Sequence, residues 1–259
     1  MRKIYKILVF FPLLYLIIIP VWFATTAHVK PCTGIVIHIQ DSSEYHFVTK
    51  KQLTNIVYGN SGKILGIPLN EIKVNEIEER IYKLRELKKA EVYLTIDGEL
   101  HVFVDQRDPI MRVMPDEGGD YFLDEEGFLF RQRNLYTPRL HIVQGNINIT
   151  SAMLDSVSVL DTLIKNTILK DTFHFIKYIN SDAFWSAQID QINITGKNEV
   201  QLIPRVGNYI VNLGTYDNYE EKLKNLSAFY DQVLPVTGWN KYSLINLEFR
   251  DQVVCRRRQ

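Results

Sequence analysis

The first pattern in the chain is an unbroken apolar run. From Ile7 to Ala27 there is no Asp, Glu, Lys or Arg. These 21 residues would extend about 31 Å as a helix, against a bilayer core of about 30 Å. Pro12 and Pro20 lie inside the run, where a membrane helix tolerates them, and Trp22 falls near its outer interface. Arg2, Lys3 and Lys6 precede it and hold residues 1–6 in the cytoplasm, so the body is exported. The competing reading is a cleaved signal peptide, whose apolar core is about 7–15 residues long. The run here is longer, and Thr25-Thr26-Ala27 is only a passable cleavage site. Either reading exports the body.

After residue 33 the pattern becomes that of a small αβ module, through residue 106. Ile35 to Ile39 is a β-rich run. Thr49 and Gln52 fit a capping box, with Val48 and Leu53 placed as a hydrophobic staple. Leu53, Ile56 and Val57 give one apolar face, and Gly59 and Gly62 stop the helix. A second helix is expected after Asn75. Glu76, Glu78 and Glu79 occupy its first turn and Arg85, Lys88 and Lys89 its last, which suits the helix dipole. Ile77, Ile81 and Leu84 form its buried stripe. Val92, Leu94 and Ile96 then alternate into Asp97-Gly98, followed by Leu100, Val102 and Val104, a hairpin signal. The order β-α-α-β-β resembles a POTRA domain, a small sheet backed by two helices. Its open edge can accept a partner strand.

Residues 107–255 read as a second, larger mixed domain with an antiparallel-rich sheet. The overall fold class is α+β. Arg107 to Val113 leads into a strand. Tyr121 to Phe130 is a hairpin around an acidic, Gly-ended turn, and Leu140 to Gly145 is another strand. Leu154, Val157, Leu160, Leu163 and Ile164 predict a helix over 151–170. Phe184 and Trp185 are placed at a helix-to-sheet corner. Strands follow at 187–194, 199–204 and 209–213, with a turn at Gly196-Lys197-Asn198. A helix is expected over 218–234. Leu244 to Phe249 alternates as a closing strand, and Gln252 to Cys255 follows. Arg256-Arg257-Arg258 is expected as a solvated tail over 256–259.

Charge excludes one class of partner. The chain has 30 basic and 30 acidic residues, and with Arg2, Lys3 and Lys6 set aside the body carries 27 basic residues. That is no footprint for nucleic acid. The six histidines, His28, His38, His46, His101, His141 and His174, form no zinc pattern, and no nucleophile elbow, P-loop or dinucleotide fingerprint occurs. Asp124-Glu125-Glu126 reads better as turn chemistry than as a paired-carboxylate site. No catalytic residue, metal, cofactor or small-molecule substrate is expected. Cys32 and Cys255 have neither metal nor redox spacing, and two unpaired thiols is the favoured reading.

The whole order of elements resembles the FtsQ/DivIB family of bacterial division proteins. The resemblance rests on the anchor, the POTRA-like module and the strand leading to Asp124 and Gly127. It continues in Leu135 to Pro138 followed by Leu140 to Gly145, in Leu213-Gly214 with Glu221-Lys222-Leu223 and Leu226, and in the alternating run near the end. It implies a non-enzymatic, single-pass scaffold of the inner membrane at the division septum, with FtsB and FtsL as partners and the septal peptidoglycan synthases as indirect ones. Strand addition at the last strand is then the expected mechanism, through Phe249, Leu247, Asn246, Val253 and Val254. Ile35 to Ile39 is a second candidate edge. Two other readings stay open. One is a POTRA-bearing envelope-assembly or export factor. The other is an anchored periplasmic enzyme.

Overall fold

The computed structural model describes residues 15–22, 30–40, 46–59, 62–131, 138–155, 157–165, 167–196 and 198–259. The chain divides into two compact units between Arg107 and Asp108. Most of the expected anchor, with Arg2, Lys3, Lys6 and the site at Ala27, lies outside the described residues. Residues 15–22 are helical, and Tyr15, Leu16, Ile17, Val21 and Trp22 are each exposed by more than half. Among the described residues no helix is long and apolar enough to cross a membrane.

The first unit contains β1 (Gly34–Ile39), α1 (Lys50–Tyr58), α2 (Val74–Tyr82), β2 (Leu87–Leu94) and β3 (Glu99–Gln106). Its sheet runs β1-β3-β2, with β1 parallel and β2 antiparallel to β3. This is the expected β-α-α-β-β order. The Thr49 hydroxyl accepts from the Gln52 N–H at 3.2 Å and starts α1. α2 stops earlier than its charge pattern implied, so Arg85 lies beyond it and Lys88 and Lys89 lie on β2. The cause is apolar: Leu84 and Leu87 turn inward, linked by a Leu87 N–H to Leu84 C=O bond. Val92, Leu100, Val102 and Val104 are buried, as are Leu53 and Val57 of α1 and Ile77 and Ile81 of α2. The opposite face stacks His38 on Phe103 at 4.3 Å and Tyr93 on His101 at 5.3 Å. Both histidines are therefore aromatic sheet residues.

The second unit is built on one nine-stranded sheet. Its strands are β4 (Pro109–Pro115), β5 (Tyr121–Asp124), β6 (Leu129–Arg131), β7 (His141–Gly145) and β8 (Ile189–Ile194). β9 (Val200–Pro204), β10 (Ile210–Gly214), β11 (Tyr242–Asn246) and β12 (Val254–Arg257) complete it. The order is β12-β11-β10-β9-β8-β7-β4-β5-β6. Pairing is antiparallel except at β10–β11, β4–β7 and β7–β8. The β5–β6 turn forms as its residues dictate: Asp124 Oδ1 accepts from the N–H groups of Glu126 and Phe128, and Gly127 takes a positive φ of 81°.

The helices of this unit are α3 (Ser151–Leu154), α4 (Thr167–Asn180), α5 (Ala183–Gln188), α6 (Tyr219–Gln232) and α7 (Leu234–Thr237). Phe173, Phe175, Ile176 and Ile179 of α4 and Leu223, Leu226 and Phe229 of α6 share one core with Val211, Leu213 and Ile245 of the sheet. The helix expected over 151–170 does not form as one piece. Between α3 and α4 the backbone is claimed by the β5–β6 turn: the Val159 N–H bonds Gly127 C=O at 2.8 Å, and Ser158 Oγ bonds Glu126 C=O at 2.8 Å. Leu163, counted in the helical stripe, is 80% exposed. At the helix-to-sheet corner Trp185 is buried, while Phe184 stays about half exposed.

Candidate partner-binding edge

The closing strand is shorter than its alternation implied. β11 ends at Asn246; Leu247 keeps one bond to β10, and Glu248 and Phe249 leave the ladder. The Asn246 side chain causes the exit: its Oδ1 accepts from the Glu248 N–H at 2.9 Å. This is an Asx turn, in which the side chain competes with the sheet for the backbone. Asp251, at a φ of 57°, helps bring the chain back into β12.

β11 is therefore interior, held parallel by β10 and antiparallel by β12. The edge is β12, and it includes Arg256 and Arg257, which the sequence alone places in a solvated tail. The orientation of its backbone follows from two bonds. The Arg258 N–H donates to Lys241 C=O at 2.9 Å, and Arg256 C=O accepts from Ser243 Oγ at 3.3 Å. Both are aimed toward β11. By the two-residue period of a strand, Val254 and Arg256 also face β11, and the N–H and C=O groups of Cys255 and Arg257 face outward. Among the described residues no strand covers that side. Side chains alternate the other way. Cys255 lies opposite the buried Ile245 and packs against the core, while Val254 and Arg256 are exposed. Burial raises the Cys255 thiol above its ordinary pKa. Cys32 and Cys255 are both free thiols.

The residues singled out from sequence fall in different settings. Val254 is on β12 and 45% exposed. Phe249 is 52% exposed in the β11–β12 turn. It lines a shallow cavity of about 250 Å³ with Thr215, Asp217, Glu221, Lys222 and Leu247. Lys222 Nζ donates to Leu213 C=O at 2.9 Å and Thr215 C=O at 2.8 Å, and desolvation lowers its pKa. Leu247 is 2% exposed and belongs to the core. Its N–H extends the β10 pairing by bonding Asn212 C=O. Val253 packs beside the core, and Asn246 Oδ1 also accepts from Asn212 Nδ2 at 3.4 Å. The structure thus gathers Phe249 and Val254 at the surface and turns Leu247 inward. Sequence reasoning missed Cys255 and Arg257 as the outward backbone positions. No alternation marks them, since three apolar residues, Val253 to Cys255, run directly into three arginines.

A sequence profile described as FtsQ/DivIB, C-terminal related, matches residues 108–256. The chain belongs to the FtsQ/DivIB family. A second profile, described as POTRA-like domain, matches residues 30–105, the unit with the helix-backed three-stranded sheet. Comparison with curated proteins finds no match. FtsQ/DivIB membership makes this a division-associated protein. In this member the second unit also holds a larger concavity, about 1030 Å³, lined by Ile110, Arg139, His141, Asn180, Asp190 and Arg205. His141 is nearly buried there, with Nε2 2.9 Å from Asn180 Oδ1. Burial lowers its pKa, favouring the neutral ring. Arg205 pairs with Asp190 at 3.0 Å. Among the described residues no three His, Cys, Asp or Glu side chains are grouped to hold a metal.

Proposed function

We propose that the chain is a bitopic scaffold of the bacterial division machinery that takes up a strand of another division protein along β12. The observation that carries this reading is the open outer edge of β12, with the backbone groups of Cys255 and Arg257 directed into solvent. An incoming strand would complete their hydrogen bonds, and its alternate side chains would meet Val254 and the arginines. Exposed Arg256, Arg257 and Arg258 guard the edge against self-pairing and favour an acidic partner strand. Phe249 supplies an apolar contact beside the strand. Asn246, Leu247 and Val253 serve by holding the turn and the edge in place. The family resemblance supports FtsB- and FtsL-type proteins as occupants, with the septal peptidoglycan synthases influenced indirectly.

In this reading residues 7–27 anchor the chain in the inner membrane, residues 1–6 stay in the cytoplasm, and the rest is periplasmic. The exposed apolar helix over 15–22 supports the anchor. The outer edge of β1 is a second docking candidate, since among the described residues no strand pairs with it. No bond is made or broken. A fluorescent fusion of the full chain, imaged in dividing cells, tests the assignment. A band at midcell is expected, and an even distribution around the envelope through division contradicts it.

A further inference from the structure

The N-terminal module leaves almost no slack between itself and the apolar run. Lys30 is three residues past Ala27, a reach of at most about 11 Å. By Lys30 the chain is already built into the module: Lys30 C=O accepts from Leu69 N–H at 3.0 Å, and Cys32 exchanges bonds with Ile67 and Gly66, each at 2.8 Å. Thr33 N–H bonds Gly98 C=O at 2.8 Å. Residues 30–33 thus run between the 64–69 loop and the tip of the β2–β3 hairpin. Both loops sit at the end of the sheet where β1 begins, because β1 and β3 are parallel with Gly34 opposite Glu99.

That end carries apolar side chains that the fold leaves in solvent, one fully and one in part. Ile96 is 85% exposed at the hairpin tip, and Leu65 is 38% exposed in the neighbouring loop. Turn chemistry accounts for Asp97 and for Gly98, whose φ is 96°. It does not call for isoleucine. Lys30 Nζ reaches Ile96 C=O at 3.4 Å, and Lys63 is exposed beside Leu65, with Asp97 and the half-exposed Glu99 as opposing charges near the tip. Two apolar tips flanked by lysines, beside a Lys30 that the chain holds within about 11 Å of the end of the apolar run, match the chemistry of interfacial contact with a layer about 5–7 Å deep.

We infer that this end of the module rests on the outer surface of the membrane that holds the anchor, with Ile96 and Leu65 in the headgroup layer and Lys30 and Lys63 at lipid phosphates. The inference rests on the anchor reading proposed above. The contact would fix the height of the module above the bilayer and the direction in which β1 leaves it.

Spin labelling of the full chain tests this. The chain is reconstituted in phosphatidylcholine–phosphatidylglycerol vesicles. Labels are placed through Ile96→Cys, Leu65→Cys, Lys89→Cys or Ile17→Cys, each with Cys255→Ser. Cys32, 2% exposed, stays unlabelled. Lys89 lies at the far end of the same hairpin, about 23 Å from Ile96 at 3.3 Å per residue. Labels at 96 and 65 are expected to collide several-fold less often than the label at 89 with a water-soluble nickel chelate. Their accessibility should rise to that of 89 when the protein moves from vesicles into a lipid-free amphipathic polymer. A lipid-facing label at 17 with 96 and 65 as accessible as 89 would overturn the inference and leave the anchor standing. Shielding that persists without lipid would overturn it in favour of a protein contact. A water-exposed label at 17 removes the anchor reading and this inference with it.

Discussion

Substituting Arg257 by proline isolates the backbone contribution of the β12 edge. Arg257 faces outward, so its N–H is not used in the β11 ladder, and proline is tolerated on the solvent side of an edge strand. Arg256, now preceding a proline, is already extended, as proline requires. An added partner strand would lose the bond from the Arg257 N–H. The ring would also obstruct the approach to the Arg257 C=O. At about 1 kcal/mol net per bond, the two together cost about 2 kcal/mol, roughly thirtyfold in Kd. Arg257→Ala removes the charge and keeps the donor. An exposed ion pair is worth up to about 1 kcal/mol, so this control should lose less than about fivefold. Arg256→Pro removes an inward bond and should lower the thermal midpoint, whereas Arg257→Pro should leave it at the value of Arg257→Ala. The assay is titration of the full chain, in detergent or vesicles, with the exported segment of an FtsB-type partner. Equal affinities for folded Arg257→Pro and Arg257→Ala would refute the outward assignment.

Two further substitutions probe other sites in the second unit. Phe249→Ala removes a half-exposed side chain and should weaken partner binding by about 1–2 kcal/mol while the thermal midpoint stays within the range of surface changes; unchanged titration with the folded variant would discard Phe249 as a contact. His141 has its pKa lowered, chiefly by burial and further by Arg205, while Asn180, the Ile189 backbone and Asp190 oppose the shift. The unfolded chain therefore takes up the proton first. The stability contributed by the neutral ring is complete above its ordinary value of 6.5 and is lost as pH falls from there through the folded pKa. Calorimetric midpoints between pH 7 and 5 should decline less for His141→Gln than for the parent, and parallel declines would count against the assignment.

The POTRA-like unit was legible because its signals are local. A capping Thr, an Asp-Gly turn and strict alternation each act within a few residues, and packing reinforced them. In the 151–170 segment a distant group intervenes. Leu154 to Ile164 repeat at helical spacing, yet the hairpin turn at Glu126 and Gly127, more than twenty residues earlier, recruits Ser158 and Val159 and leaves Leu163 in solvent. At the candidate edge the limits were local but ambiguous. Leu244 to Phe249 alternates as a longer strand would, and the Asn246 side chain ends it early. Burial of Leu247 then depends on α6 and β10, which no periodicity in the last twenty residues encodes. Arg256 and Arg257 resemble a solvated tail because composition does not reveal pairing with Tyr242 and Leu244.

In the proposed complex an outside strand completes the ladder at β12. Amide hydrogen exchange of the full chain, followed residue by residue with and without the partner segment, measures those bonds themselves. The Cys255 and Arg257 amides should exchange freely alone and slow markedly in the complex, while those of Val254 and Arg256, already directed at β11, change little. Rapid exchange at Cys255 and Arg257 in a saturated complex would contradict the account.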